Sequence, residues 1–203
     1  PHPPPRPAPP PYHPPPPDWP PHPVPGPPNL GQGTVIDIGA NIGNHSIYFL
    51  KECGAGKVIA FEPVAETFHI LKKNIEINGL ESRAVLYNCG AGETRSKAAY
   101  KEYDLNNIGG TTLYDTMDGS IEICSIDELE LEENIVLMKV DVEGYEEKVI
   151  KGALKTIRKN KPVIMLEAWD RSDTIENIIM ILSDIGYEFQ FIEAENYIFY
   201  CKE

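Results

Sequence analysis

The sequence predicts an α/β fold: a doubly wound, mostly parallel seven-stranded sheet with helices on both faces and a C-terminal antiparallel hairpin. Five short apolar runs alternate with segments whose apolar residues recur at helical spacing, which is the pattern of a parallel sheet covered by helices. The last two apolar runs follow each other with no helix between them, which indicates the hairpin. The predicted strands are Val35–Ile38, Lys57–Phe61, Ala84–Asn88, Ile135–Val140, Pro162–Glu167, Tyr187–Ile192 and Tyr197–Cys201.

Helices are predicted where apolar residues recur at intervals of three and four. Asp173 and Glu176 resemble a capping box at the start of the last helix. The predicted helices are Gly43–Cys53, Val64–Asn78, Tyr145–Asn160 and Asp173–Asp184. The pattern is less regular in the middle of the chain, where it predicts three short strands and a helical turn, at Lys97–Lys101, Thr111–Tyr114, Ser120–Cys124 and Ser125–Leu129.

The N-terminal stretch differs in composition from the rest of the chain. Residues 1–28 hold 18 of the 20 prolines, and proline fixes φ and donates no backbone N–H. We therefore expect residues 1–30 to be an extended or disordered tail, and residues 31–203 to form the folded domain. Two interpretations of the tail remain open. It is either a ligand for a groove of the kind that binds polyproline helices, or a linker or remnant of a longer chain.

The chain carries a net charge of −13, and an acidic surface argues against nucleic acid or an anionic membrane as the main partner. No apolar run approaches the length of a membrane-spanning helix. The cysteines Cys53, Cys89, Cys124 and Cys201 show no CxxC spacing, which favours free thiols in a reducing compartment. We therefore expect a cytoplasmic protein.

The stretch Val35–Ser46, VIDIGANIGNHS, is a predicted strand followed by a glycine turn and the start of a helix. Together with Glu62 at the end of the next strand, it outlines a nucleoside-binding unit. A pyrophosphate site would need glycine in the middle of the turn, where Asn41 stands, so a cofactor without phosphates fits better. S-adenosylmethionine is such a cofactor, and the carboxylate of Glu62 could accept hydrogen bonds from both of its ribose hydroxyls.

The other predicted strand ends extend this site, because ligands of such sheets bind beyond the carboxyl ends of the strands. Asp37 is expected near the methionine ammonium, and Asn88 and Cys89 beside the adenine. Asp141 is expected beside the methionine arm or the methyl acceptor. The full set of expected cofactor-binding residues is Asp37, Gly39, Ala40, Asn41, Gly43, Ser46, Glu62, Pro63, Asn88, Cys89 and Asp141.

The chain resembles the FkbM-type branch of the class I S-adenosylmethionine-dependent methyltransferases. The matching segments are VIDIGANIGNHS, VIAFEP, GGTTL, SIDEL and VLMKVDVEGYEEKVIKGA, within Thr34–Trp169. VDVEGYE after the fourth long strand is the most specific of these. The resemblance implies a Rossmann-like fold and methyl transfer, usually to a hydroxyl oxygen of a small molecule or sugar.

An alcohol acceptor must lose its proton, so a general base is expected. Asp141, Glu143 and Glu167 are the candidate catalytic residues, with His45 a weaker one. Asp141 with Glu167 or Asp170 could instead hold a divalent metal, but three well-placed oxygen ligands are not evident, so no metal is predicted. The acidic pair Glu146-Glu147 is interpreted as a solvated surface.

Two alternatives to the enzyme remain open: a catalytically silent cofactor-binding and interaction module, and an NAD-dependent oxidoreductase, which Asn41 disfavours. Members of the class normally carry helical residues before the first strand, where this chain has its proline-rich tail. Either that cap is missing from this chain, or the tail or a partner replaces it.

Overall fold

The computed structural model describes residues 29–102, 112–168, 172–192 and 196–201. The strands are, in chain order, β1 (Thr34–Ile38), β2 (Lys57–Phe61), β3 (Ala84–Tyr87), β4 (Gly90–Ala91), β5 (Ser96–Glu102), β6 (Thr112–Asp115), β7 (Ile121–Cys124), β8 (Ile135–Asp141), β9 (Val163–Glu167), β10 (Tyr187–Phe191) and β11 (Asn196–Cys201). The helices are α1 (Asn44–Lys51), α2 (Ala65–Ile77), α3 (Glu146–Lys151), α4 (Leu154–Asn160) and α5 (Ser172–Ser183).

Within the described residues, seven strands form one sheet in the order β3-β2-β1-β8-β9-β11-β10. Five of these strands run parallel to one another: β3, β2, β1, β8 and β9. By contrast, β11 runs antiparallel to both of its neighbours. The mostly parallel seven-stranded sheet and its C-terminal hairpin are therefore confirmed. The boundaries of these strands differ from the predicted ones by at most one residue.

Side-chain alternation along the strands divides the core between the two faces of this sheet. Val35 and Val58 belong to a cluster with Phe49 of α1 and Leu71 of α2. Their neighbours, such as Ile36, belong to a second cluster with buried residues of α3, α4 and α5. Both faces are thus covered by helices, as the near-continuous apolar sequences of the parallel strands predict.

A second, smaller sheet has the order β4-β7-β5-β6. The sequence predicts β5, β6 and β7 as short strands but not their assembly into a sheet of their own. Its buried side chains belong to the same hydrophobic cluster as Ile36, namely Ala91, Ala98, Ile121 and Ile123. The smaller sheet therefore packs on one face of the larger one, and its β4 edge lies close to the end of β3.

The single helix predicted over Tyr145–Asn160 is wrong, because α3 ends at Lys151 and α4 begins at Leu154. The carbonyl of Gly152 accepts hydrogen bonds from Ser125 Oγ and from the backbone N–H of Asp127, both at 2.9 Å. The N–H of Thr156, which a continuous helix would direct to that carbonyl, donates instead to Asp127 Oδ1 at 2.8 Å. Contacts with a segment more than 20 residues earlier in the chain therefore interrupt the helix.

Some predictions lie outside the described residues. These are the tail over residues 1–28, the Gly109–Thr111 part of the GGTTL segment, Asp170, and the side chain of Asp173 in the proposed capping box. The boundary between tail and domain stays a prediction. Of the helices in the described ranges, none has the length and apolar character needed to cross a membrane.

Candidate functional site

A cleft opens at the carboxyl ends of β1, β2 and β8, where the parallel strands finish side by side. Including its open mouth, it holds about 700 Å³ of empty space. Its walls come from the turn after β1, the start of α2, the smaller sheet and the segment after β8. The lining residues are Ile38, Gly39, Asn41, Phe61, Glu62, Pro63, Val64, Thr67, Gly90, Ala91, Leu113, Ile123, Asp141, Val142, Glu143 and Tyr145.

Glu62 follows β2 and is a buried carboxylate in this cleft, with 5% of its surface exposed. Oε2 accepts a hydrogen bond from the N–H of Asn41 at 2.9 Å, and Oε1 accepts one from the N–H of Val64 at 2.8 Å. Burial raises the pKa of this carboxyl, an effect that the two backbone donors oppose. Glu62 thus joins the turn after β1 to the start of α2.

The turn after β1 brings its backbone close to neighbouring strands. Gly39 has φ +76°, and a Cβ on it would lie 1.8 Å from the carbonyl oxygen of Asp141. The N–H groups of Gly39 and Ala40 both donate to the carbonyl of Phe61 at 3.0 Å. Asn41 is also left-handed, with φ 51°, a conformation that asparagine tolerates better than most residues. Because of the close approach to Asp141, only glycine fits at position 39.

Asp37 and Ser46 line no part of the cleft; they form a buried polar group beneath it. Both side chains are fully buried, and Ser46 Oγ donates to Asp37 Oδ2 at 2.6 Å. Lys139 of β8 is the register neighbour of Asp37, and its Nζ lies 3.6 Å from Asp37 Oδ1 and 2.8 Å from Asp141 Oδ2. The geometry therefore makes Asp37 a support for Asp141 through Lys139. Direct contact of Asp37 or Ser46 with a cofactor stays a prediction.

The VDVEGYE segment forms the wall after β8. The interpretation of Glu146 as a solvated side chain is wrong, since only 3% of its surface is exposed. Its Oε1 accepts a hydrogen bond from the N–H of Gly144 at 2.9 Å and closes the turn. Tyr145 lines the cleft, and its hydroxyl donates to Asp115 Oδ1 at 2.7 Å. The pKa of Tyr145 is raised well above its usual value, mainly by burial and secondly by that hydrogen bond.

Asn88 and Cys89 follow β3 at the same edge of the sheet but do not line the cleft. The side-chain amide of Asn88 donates to the carbonyl of Glu62 at 2.9 Å. Cys89 is buried, and its sulfur lies 2.8 Å from the sulfur of Cys124. Of the other expected residues, Gly39, Asn41, Glu62, Pro63 and Asp141 line the cleft, whereas Ala40 and Gly43 lie in the turn without lining it.

A second, smaller cavity adjoins the cleft at Asp141, which lines both. It lies at the ends of β8 and β9, beside the start of β11 and the first turn of α1. Asp141 and Glu167 are register partners there. The lining residues are His45, Lys139, Val140, Asp141, Met165, Leu166, Glu167 and Asn196. The structure thus divides the candidate bases: Glu143 lies in the cleft, Glu167 and His45 in the smaller cavity, and Asp141 in both.

Sequence reasoning missed Thr67 and the cleft residues of the smaller sheet. Thr67 is 3% exposed, and its Oγ1 has no hydrogen-bond partner among the described residues. Its position five residues after Glu62 was a usable signal, because it places the side chain in the first turn of α2. Leu113 ends the GGTTL segment that resembles the family, which was a further signal. Ile123 gave no local signal, since its place in the site depends on long-range strand pairing. In the described ranges, no group of three His, Cys, Asp or Glu residues is placed to hold a metal ion.

Comparison with known proteins gives a family match. The family model of the Methyltransferase FkbM domain matches residues 37–189. The chain belongs to this family. Its sequence is 24% identical over 200 residues to methyltransferase sdnD of Sordaria araneosa, with 79% of this chain and 76% of that protein covered.

Solved structures with the same fold include the FkbM methyltransferase of Methylobacillus flagellatus, at TM-score 0.61 and 22% identity. That match covers 83% of this chain but only 43% of the neighbour, so the chain spans less than half of its length. A protein of Streptococcus mutans solved in complex with SAH matches at TM-score 0.50 and 11% identity, with 86% of this chain and 88% of the neighbour covered. At such low identities the structural similarity shows the fold alone, and the Rossmann-like prediction is confirmed.

Proposed function

We propose that this FkbM-family protein is an S-adenosylmethionine-dependent methyltransferase that methylates a hydroxyl oxygen of a small molecule or sugar. The observation that carries the proposal is the position of Glu62. Its carboxylate is buried in the wall of the cleft and is fixed by backbone donors of the two turns that border the cleft. The family match supports methyl transfer, and the neighbour solved in complex with SAH supports a cofactor of this kind.

The residues of the cleft fit the adenosine part of such a cofactor. Each oxygen of Glu62 accepts one backbone N–H, and since a carboxylate oxygen can accept two hydrogen bonds, each keeps one acceptor position for a ribose hydroxyl. Apolar groups from Pro63, Leu113 and Ile123 provide walls for a flat aromatic base. The side chain of Asn41 occupies the middle of the turn, where a pyrophosphate would need open backbone.

The opposite end of the cleft is acidic, because Asp141 and Glu143 line it. When bound, the cofactor would supply the methyl group on a positively charged sulfonium. Carboxylates at this end favour a cationic ligand over a neutral or anionic one. Lys139 holds the Asp141 carboxylate through a 2.8 Å contact, so that carboxylate is kept in position before any ligand enters.

The smaller cavity is our proposed site for the acceptor hydroxyl, because it meets the cleft at Asp141. Polar side chains of His45, Glu167 and Asn196 surround it, and hydroxyl compounds can hydrogen-bond to such groups. Asp141, Glu167 and His45 are the candidates to accept the hydroxyl proton as the new bond forms. Alignment of donor and acceptor is expected to supply the larger part of the rate enhancement.

The test is to incubate the full chain with radiolabelled S-adenosylmethionine and a panel of hydroxyl compounds, with the matching amines alongside. Label in an alkali-stable ether of a hydroxyl compound is the expected result, and Glu62→Ala should reduce its formation. Transfer to the amines alone would overturn methylation of oxygen. Tight SAH binding without transfer to any compound would instead favour the silent binding module.

A further inference from the structure

The thiols of Cys89 and Cys124 lie against each other beside the cleft, although they are 35 residues apart in sequence. Their sulfur atoms are 2.8 Å apart, and a disulfide bond is about 2.05 Å long. Bond formation would therefore require less than about 1 Å of further approach. All four cysteines are free in this structure, so both members of the pair are available as thiols.

The two sulfurs differ in environment in a way that suits stepwise oxidation. Cys124 is partly exposed, whereas Cys89 is buried. Contact with the other sulfur is the largest cause of the pKa shift of each thiol: it lowers the pKa of Cys124 and, together with burial, raises the pKa of Cys89. Because the thiolate is the reactive form, the more accessible sulfur is also the one that reacts first.

We infer that Cys89 and Cys124 are an oxidisable thiol pair that forms a reversible disulfide in the wall of the cleft. With hydrogen peroxide as oxidant, the Cys124 thiolate attacks one peroxide oxygen, the O–O bond breaks, and hydroxide leaves and takes up a proton. The Cys89 sulfur then attacks the Cys124 sulfenic acid, the S–O bond breaks, and a second water leaves. Two thiols and one peroxide thus give one disulfide and two waters, and a thiol reductant reverses the change.

The position of the pair links this chemistry to the site. Cys89 directly precedes β4 and Cys124 ends β7, and these strands pair through Gly90 with Ile123 and Ala91 with Cys124. Gly90, Ala91 and Ile123 line the cleft. Among the described strands, β4 lies at the edge of its sheet with β7 as its neighbour. A disulfide would therefore cross-link β4 to β7 in one wall of the cleft.

Peptide mapping of the native chain tests the inference, because trypsin places each cysteine in a separate peptide. These peptides are residues 52–57, 84–95, 102–139 and 172–202. The protein is treated with a small molar excess of hydrogen peroxide, alkylated and digested. We expect two of the four thiols to be lost, with peptides 84–95 and 102–139 joined and dithiothreitol separating them. Alkylation of both Cys89 and Cys124, or linkage of either to another cysteine, would overturn the inference.

Two variants and a stability measurement complete the test. The Cys53→Ser/Cys201→Ser variant should still form the linked peptides, whereas Cys124→Ser should not. Oxidation of the native chain should raise its thermal unfolding midpoint, since a cross-link restricts the unfolded chain, and dithiothreitol should reverse the rise. An unchanged unfolding midpoint after complete cross-linking would contradict the claim that the disulfide stabilises this wall of the cleft. None of these readouts requires methyl transfer, so this inference and the proposed function can fail separately.

Discussion

The buried carboxylate of Glu62 accepts a 2.9 Å hydrogen bond from the backbone N–H of Asn41, 21 residues earlier in the chain. This bond crosses from the end of β2 to the turn after β1, and the bond from Val64 adds the start of α2. One side chain therefore positions both turns beside the cleft. Because it also lines the cleft, loss of this carboxylate should affect the shape of the site as well as ligand binding.

Replacement of Glu62 by alanine should weaken SAH binding by about 1–3 kcal/mol, the usual loss for a hydrogen bond that involves a charged group. Calorimetric titration of both proteins gives the difference. Glu66→Ala is the matched control, because Glu66 is exposed on α2 outside the cleft, and it should bind SAH as the native chain does. An unchanged affinity in Glu62→Ala would remove Glu62 from the cofactor site.

Replacement of Lys139 by methionine should lower the free energy of unfolding by about 3–5 kcal/mol, because it leaves a buried carboxylate without its cation. Asp37 is the residue affected, since it is fully buried and its Oδ1 has Lys139 Nζ at 3.6 Å. The difference is measured by urea denaturation at neutral pH. Addition of Asp37→Asn to the variant should recover part of the loss.

The control for Lys139 is Lys97→Met, which breaks an exposed pair with Glu122. Both of its side chains are at least half exposed, so a loss within about 1 kcal/mol is expected. Equal losses at the two lysines would show that the buried pair makes no special contribution.

Gly39→Ala should destabilise the protein by at least about 3 kcal/mol and also weaken SAH binding. The reason is the predicted 1.8 Å approach of the new Cβ to the carbonyl of Asp141. Gly79 has a similar φ of +66° but nothing within 4 Å of its position for a Cβ. Gly79→Ala should therefore show only the cost of a left-handed residue, about 1–2 kcal/mol, with unchanged SAH binding. If urea denaturation gives similar losses of unfolding free energy for the two variants, the close approach to Asp141 does not account for the loss at Gly39.

Thr67→Val should move stability and binding in opposite directions. The substitution removes a buried hydroxyl that has no partner among the described residues, so the unliganded protein should gain about 1 kcal/mol or more. SAH binding should weaken by about 0.5–1.5 kcal/mol, the contribution of one neutral hydrogen bond. The control is Thr156→Val, since the hydroxyl of Thr156 donates to Asp127 at 2.8 Å, and its loss should destabilise the protein. A destabilised Thr67→Val variant with native affinity would place Thr67 outside the site.

The main sheet could be predicted from sequence because its signals are local. Apolar runs mark β1, β2, β8 and β9, and the absence of a helix between the last two runs predicts the hairpin. The strand-end rule then brings Glu62 and Asp141 to one edge without any knowledge of their contacts. Side chains whose role follows from their position at a strand end could therefore be identified from the sequence.

Roles that depend on register or distant contacts were not within reach. Lys139 stands in the apolar run IVLMKV, and its contact with Asp37 follows only from the pairing of β1 with β8. The break between α3 and α4 results from Asp127, whose carboxylate accepts hydrogen bonds from the first N–H groups of α4. The smaller sheet assembles strands that carry weak individual patterns. In each case the deciding partner is far away in the sequence.

The most direct measurement is calorimetric titration of the native chain with SAH and, separately, with NAD. SAH binding at one site without detectable binding of NAD is the predicted result, since Glu62 can accept the ribose hydroxyls while Asn41 occupies the place that a pyrophosphate needs. Binding of NAD in the absence of SAH binding would contradict the assignment of this cleft to a methyl donor.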